Sequence, residues 1–172
     1  MPWRVCLSGL PGGGKSMIAR ALAAETGALW LRVDRVEQAK REPHMKTEDL
    51  ADGGYAAPRA VPPAVLEQGS DVIADRVNPI PLTQEAWRAA MLEEGGRHLD
   101  VALTCSNTKE HRRRVETCKA EVPKPGLPDW QAVLTRTYEP LTAADLSLDA
   151  AARPVEAGSV GIRTALQEYA HG

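Results

Sequence analysis

At 172 residues with a formal net charge of −2, the chain is long enough for one core and lacks the basic excess that gathers nucleic acid non-specifically. Three cysteines without C-x-x-C spacing read as reduced structural thiols, which excludes a disulfide scaffold. No stretch approaches about 18 apolar residues and no signal-peptide pattern opens the chain, so a soluble, cytoplasmic protein with no membrane partner is expected.

The first predicted strand is the apolar run Val5-Cys6-Leu7. It leads into Gly9-Leu10-Pro11-Gly12-Gly13-Gly14-Lys15-Ser16, a G-x-x-x-x-G-K-S pattern that reads as a P-loop. Gly9 and Gly14 permit backbone angles and close approaches that a Cβ would block. With Gly12 and Gly13 they let successive N–H groups converge on a β-phosphate, beside the positive end of the following helix. Lys15 is expected to reach the β- and γ-phosphates, and the Ser16 hydroxyl to help hold Mg²⁺. Met17, Ile18, Ala21 and Leu22 then recur at helical spacing up to Gly27.

Residues 28–34 predict a second strand ending on Asp34, followed by a short helix through Val36 and Ala39. Residues 43–63, with Tyr55 and Arg59, are polar and broken by prolines and glycines, as in a binding flap. Residues 64–68 continue helically to Gly69. Asp71-Val72-Ile73-Ala74-Asp75 is the third predicted strand, again closing on a carboxylate. After a turn at Asn78-Pro79-Ile80-Pro81, Thr83 is expected to cap a helix through Trp87 and Met91 to Gly95. Residues 101–105 form a fourth strand, and Asn107 with Glu110 predicts a capping box opening a helix that carries Arg112, Arg113 and Arg114. A lid is expected over about residues 112–130, then a helix over 130–136, a short strand at 146–148 and a closing helix over 159–169.

Strands alternating with helices predict a single three-layer α/β domain over residues 1–172 built on a five-stranded parallel sheet. Ligands on such sheets sit beyond the carboxyl ends of the strands, where the P-loop, Asp34, Asp75 and the segment after Cys105 all fall. Phosphoryl transfer needs charge neutralisation and alignment, plus a group to take the attacking proton. Asp34 is placed for that base, and the competing reading makes it a helix N-cap. Asp75 suits a Walker-B-like carboxylate for Mg²⁺, against an ion pair with Arg76. Arg113 is chosen from the arginine triplet as the lid cation, against a solvated face paired to Glu110 and Glu116. Arg136 is a further lid cation, and Tyr138 reads as core. His44, His98, His111 and His171 show no ligand spacing.

These motifs resemble the P-loop small-molecule kinases: adenylylsulfate kinase, gluconate kinase, antibiotic phosphotransferases and, most of all, the kinase domain of phage-type polynucleotide 5′-kinase. The resemblance rests on residues 9–16, on Arg32-Val33-Asp34, on Asp71 through Asn78, and on Pro128-Asp129-Trp130 to Arg136-Thr137-Tyr138. It implies the sheet order 2-3-1-4-5 of nucleoside monophosphate kinases, ATP and Mg²⁺ as cofactors, Asp34 as the catalytic acid and Arg113 near the nucleotide. The polynucleotide kinases place an arginine three residues after that Asp, where Glu37 stands here, so Arg35 is the substitute. Met17 replaces the Thr of many relatives beside the nucleotide, which leaves the Ser16 hydroxyl intact. Arg35, Tyr55, Arg59 and Asn78 are the candidates on the acceptor side.

The expected function is an ATP-dependent transfer of the γ-phosphate to a hydroxyl of a small molecule, by a monomer or homodimer. A polynucleotide or nucleotide kinase and a nucleotide-dependent ATPase switch are the alternatives. Guanine specificity is not expected, because Asn107-Thr108-Lys109-Glu110 lacks the closing Asp of N-K-x-D.

Overall fold

The computed structural model describes residues 1–41, 53–92, 97–117, 128–151 and 154–168, with the backbone alone at 53–55 and 91–92. Its centre is β1 (Trp3–Ser8), buried along its whole length. Trp3, Val5 and Leu7 point to one face and Arg4, Cys6 and Ser8 to the other, the period of two that a strand imposes. The chain then forms α1 (Lys15–Thr26), β2 (Leu29–Arg32), α2 (Val33–Lys40), α3 (Gly53–Arg59), α4 (Val61–Glu67) and β3 (Val72–Asp75). It continues through α5 (Pro81–Leu92), β4 (Arg97–Thr104), α6 (Thr108–Thr117), α7 (Trp130–Thr135), β5 (Leu146–Asp149) and α8 (Val155–Glu168).

The five strands form one sheet in the order β2-β3-β1-β4-β5, every neighbouring pair parallel, as expected. Trp3, Val5 and Leu7 join Ile18, Leu22, Leu99, Leu103 and Ile162 in the larger core cluster, beneath α1 and α8. Those two helices approach closely because Gly158 lacks a Cβ, which would lie 2.7 Å from Ile18 Cδ1. The other face is smaller and more polar: Cys6, Val33, Ala74 and Trp87 cluster there, with Arg4, Arg76, His98 and Asp100 also buried. Among the described residues no helix is long and apolar enough to cross a membrane.

Several expected boundaries move. The strand expected to end on Asp34 ends at Arg32, because Val33 turns inward, 2% exposed, and starts α2 three residues before the helix predicted from Val36. The described part of the expected flap is helical, as α3 and α4; Pro62 and Pro63 fit the first turn of α4, where a missing N–H costs no intrahelical bond. Residues 43–52 of that flap, and 118–127 of the expected lid, lie outside the described residues. Thr83 is not the cap of α5: the helix opens at Pro81, and Thr83 Oγ1 donates back to the Ile80 carbonyl at 2.8 Å. β4 starts at Arg97, earlier than predicted, since the inward-facing His98 and Asp100 broke the apolar pattern. α8 starts at Val155 rather than 159, the small residues Gly158 and Ser159 having masked its buried stripe.

Candidate active site

The site forms where β1 ends and the chain turns through residues 9–14 into α1. Gly9 (φ 152°) lies so close to β4 that a Cβ would stand 2.3 Å from the Leu103 carbonyl oxygen. Gly12 (φ 77°) lies equally close to α6: a Cβ there would be 2.6 Å from Val115 Cγ2 and 3.1 Å from the His111 ring. The loop is thus wedged between β4 and α6, with the Gly13 N–H donating to the Leu10 carbonyl at 3.2 Å. Gly14 occupies the N-cap of α1, whose own first turn has no acidic residue, so the helix itself does not neutralise its positive end. Such an arrangement attracts a phosphate.

Lys15 is 7% exposed and donates from Nζ to the Leu10 carbonyl at 2.9 Å. Burial pushes its pKa down, and the nearby carboxylates of Asp75 and Asp34 pull the other way. Asp75, at the end of β3, is 4% exposed and accepts from Ser16 Oγ at 2.6 Å and from Trp30 Nε1 at 3.3 Å, both on Oδ2. The ion pair expected as its alternative does not form, because Arg76 turns to the opposite face. There it donates to Cys6 Sγ at 3.0 Å and stacks 4.4 Å from the Trp87 ring centroid. The Ser16 hydroxyl and Asp75 carboxylate, held together at the loop, are the hard oxygen donors that suit Mg²⁺.

Asp34 lies in the first turn of α2, whose N-cap is Arg32, so the N-cap alternative for Asp34 does not hold. Its side chain is 57% exposed and is clasped by Arg32: Nε donates to Oδ1 at 3.1 Å and Nη2 to Oδ2 at 2.7 Å. The Arg32 guanidinium also sits 5.4 Å from the Trp30 ring centroid. Arg35, exposed, joins Trp30, Leu31, Arg32 and Val36 around a cavity of about 270 Å³ at the carboxyl end of β2.

On α6, Asn107 caps as expected, its Oδ1 accepting from the Glu110 N–H at 3.0 Å. The reciprocal half of the box is missing, since the Glu110 carboxylate bonds Arg113 and Arg114, which hold it down to about 2. Arg112 pairs with Glu116 on the solvent side. Arg113, the expected lid cation, likewise turns outward with its side chain 63% exposed. Arg114 faces the loop instead: Nη2 donates to the Ala150 carbonyl at 3.0 Å, and a Cβ on Gly14 would lie 3.7 Å from its Nη1. The successive rotation of residues along a helix separates these three, and packing against the loop selects one.

His111 was missed by sequence reasoning. It is buried, its Nε2 lies 2.7 Å from the Pro11 carbonyl oxygen, and its ring meets Trp130 edge-on at 5.2 Å. Its four-residue spacing from Val115 was the available signal, for both pack on the loop. Arg136, at the C-cap of α7, adds positive charge near Lys15 and Glu37.

The remaining acceptor-side candidates are not gathered there. Asn78 is 1% exposed at φ 58° and donates from Nδ2 to Ser8 Oγ at 3.1 Å, tying the ends of β1 and β3 beneath the loop. Arg59 lines a separate cavity with alanines of α5, to which no loop residue contributes. The Tyr55 side chain lies outside the described residues. Met17 is 54% exposed in the first turn of α1.

No family model matches the chain, and no curated protein sequence matches it. Solved structures do. The APS kinase of Mycobacterium tuberculosis, in complex with AMPPNP and APS, is 17% identical with a TM-score of 0.70, covering 96% of this chain and 98% of that one. A gluconokinase from Sinorhizobium meliloti is 18% identical with a TM-score of 0.66, covering 99% of this chain and 94% of that one. A sugar kinase from Janibacter is 18% identical with a TM-score of 0.66, covering 97% of this chain and 95% of that one. The strand order, the glycine-rich turn into α1 and these likenesses lead to one conclusion: the chain has the α/β fold of P-loop small-molecule kinases.

Proposed function

We propose that the protein is an ATP-dependent phosphotransferase that moves the γ-phosphate to a hydroxyl of a small molecule. The observation that carries this reading is the pairing of a phosphate-type loop, whose Ser16 is bonded to Asp75, with a second carboxylate, Asp34, in the first turn of α2. One is buried and bonded to Ser16, the other reaches solvent beside an open cavity. A second, exposed acid next to a ligand-sized space suits an acceptor larger than water, whose hydroxyl it would deprotonate.

The N–H groups of residues 12–16 and the end of α1 bind the phosphates, and Lys15 exchanges the Leu10 carbonyl for phosphate oxygens as ATP enters. Ser16 and Asp75 would hold Mg²⁺, which when bound neutralises charge on the phosphates. Asp34 orients the acceptor hydroxyl and takes its proton. Arg114 supplies positive charge at the loop in place of Arg113, which acts through the Glu110 carboxylate that both share.

Asp34→Asn keeps the shape and removes the base. Transfer to an acceptor, followed as ADP release over a panel of alcohols, sugars, hydroxy acids and nucleosides, is expected to fall by about 10²–10⁴-fold. The calorimetric affinity for MgATP should stay within about twofold. Undiminished transfer by the variant would remove Asp34 from the mechanism.

A further inference from the structure

The clasp between Arg32 and Asp34 leaves the proposed base already occupied. Both carboxylate oxygens accept from one guanidinium, in the forked geometry that makes arginine pairs directional. A base held this way, though 57% exposed, has both oxygens already accepting from a cation. The arginine that holds it, however, lines the adjoining cavity, together with Arg35. No carboxylate lines that cavity among the described residues, and Trp30, one of its lining residues, is held by the bond from Nε1 to Asp75. A space with two guanidiniums, an indole and aliphatic walls suits a compact anion with an apolar or planar body.

Resting on the kinase reading above, we propose that the acceptor bears an anionic group and that this group draws Arg32 away from Asp34, so the acceptor itself uncovers the base. Arg32 pivots over Trp30 from one carboxylate to the acceptor's carboxylate, phosphate or sulfate, and Arg35 closes on the same group. Asp34 then accepts the hydroxyl proton. The acceptor oxygen bonds to Pγ, the bond from Pγ to the β,γ-bridging oxygen breaks with its electron pair leaving on ADP, and the proton passes from Asp34 to solvent. Before the acceptor arrives, water beside the γ-phosphate meets a base whose two oxygens are both bonded to Arg32. Arg32 is therefore a specificity-determining residue that also restrains wasteful hydrolysis.

The test compares wild type with Arg32→Gln and Arg32→Lys, after thermal melts and MgATP calorimetry. Without acceptor, Arg32→Gln is expected to hydrolyse MgATP at least threefold faster than wild type, with MgATP affinity within about twofold. Inorganic sulfate, at saturating MgATP and at an ionic strength matched with chloride, should raise wild-type hydrolysis saturably and leave Arg32→Gln unaffected. Arg32→Lys, which keeps the charge without the fork, should lie between them. In matched pairs such as glycerate or glycerol 3-phosphate against glycerol, wild type should release ADP at least tenfold faster with an acid than with the neutral member. The carboxylate and phosphate arms tell which anion is read. Hydrolysis by Arg32→Gln no faster than wild type, equal action of sulfate on both, or preference for the neutral member overturns the proposal while the kinase reading stands. Absence of MgATP binding by folded wild type overturns both.

Discussion

Gly9 and Gly27 both hold positive φ angles, yet they answer to different constraints. A Cβ at Gly9 would stand 2.3 Å from a β4 carbonyl oxygen, whereas nothing lies within 4 Å of one at Gly27, the C-cap of α1. Gly27→Ala therefore bears only the left-handed backbone cost, about 1–2 kcal/mol. Gly9→Ala adds overpacking against a backbone in the central sheet, about 1–3 kcal/mol more, because neither wall can give. Urea unfolding of the two variants should show Gly9→Ala as the less stable, and the reverse order would contradict the wedged position of the loop. Residues of this kind explain why the loop was legible from sequence while Arg113 was misplaced. The loop's geometry depends on local glycines, but the facing of an arginine depends on what packs against its helix.

At the scale of the elements, the face of the sheet under α5 is a buried charge network. Arg88 Nη1 donates to Asp100 Oδ2 at 2.7 Å, and His98 Nε2 lies 3.0 Å from the same oxygen, close enough for attraction though poorly aligned for a hydrogen bond. Cys6, His98 and Asp100 bring three ligand-type atoms within 4.8 Å of one another. A metal is not favoured among them, because Arg76 already donates to Sγ and burial pushes the thiol up to about 11. For Asp100, burial pushes the carboxyl upward, but His98, Arg76 and Arg88 outweigh it, so the net shift is downward. A carboxyl lowered by folding contributes stability that is present above its unfolded value, about 3.9, and is lost as pH falls through the folded one. Wild-type melting temperature should therefore drop as pH is lowered through 4 and below. Asp100→Asn should show a shallower drop, with a loss at pH 7 of about 1–3 kcal/mol, since Arg88 is 45% exposed and Arg76 keeps Cys6 and Trp87. Parallel slopes for both proteins would remove Asp100 from the acid response. Spacing along the chain gave no hint of this network, since parallel pairing sets Cys6 opposite Asp100 and Arg4 opposite His98.

For the molecule as a whole, the site joins elements up to a hundred residues apart: the loop after β1, Trp30 and Arg32 of β2, Asp75 of β3, and the α6 face bearing His111 and Arg114. A ligand touching all of them stabilises the fold by mass action. MgATP at about 100 times its dissociation constant should add about 2.7 kcal/mol, a rise in melting temperature of about 5–11 °C. ATP with excess chelator should give a smaller rise if Ser16 and Asp75 hold the ion. A melting temperature unmoved by MgATP would contradict a phosphate-binding loop altogether.

What the amino-acid order determined alone was whatever depends on neighbours in the chain. The apolar run before G-x-x-x-x-G-K-S, the alternation of strand and helix, and the carboxylate closing β3 are local patterns, and from them the parallel sheet and its ligand-binding edge follow. Tertiary structure alone decided which arginine faces the loop, that His111 abuts Pro11, that residues 53–67 are largely helical, and that Arg32 clasps Asp34. Each of those is settled by packing and charge, acting between groups whose side-chain directions no short-range pattern encodes.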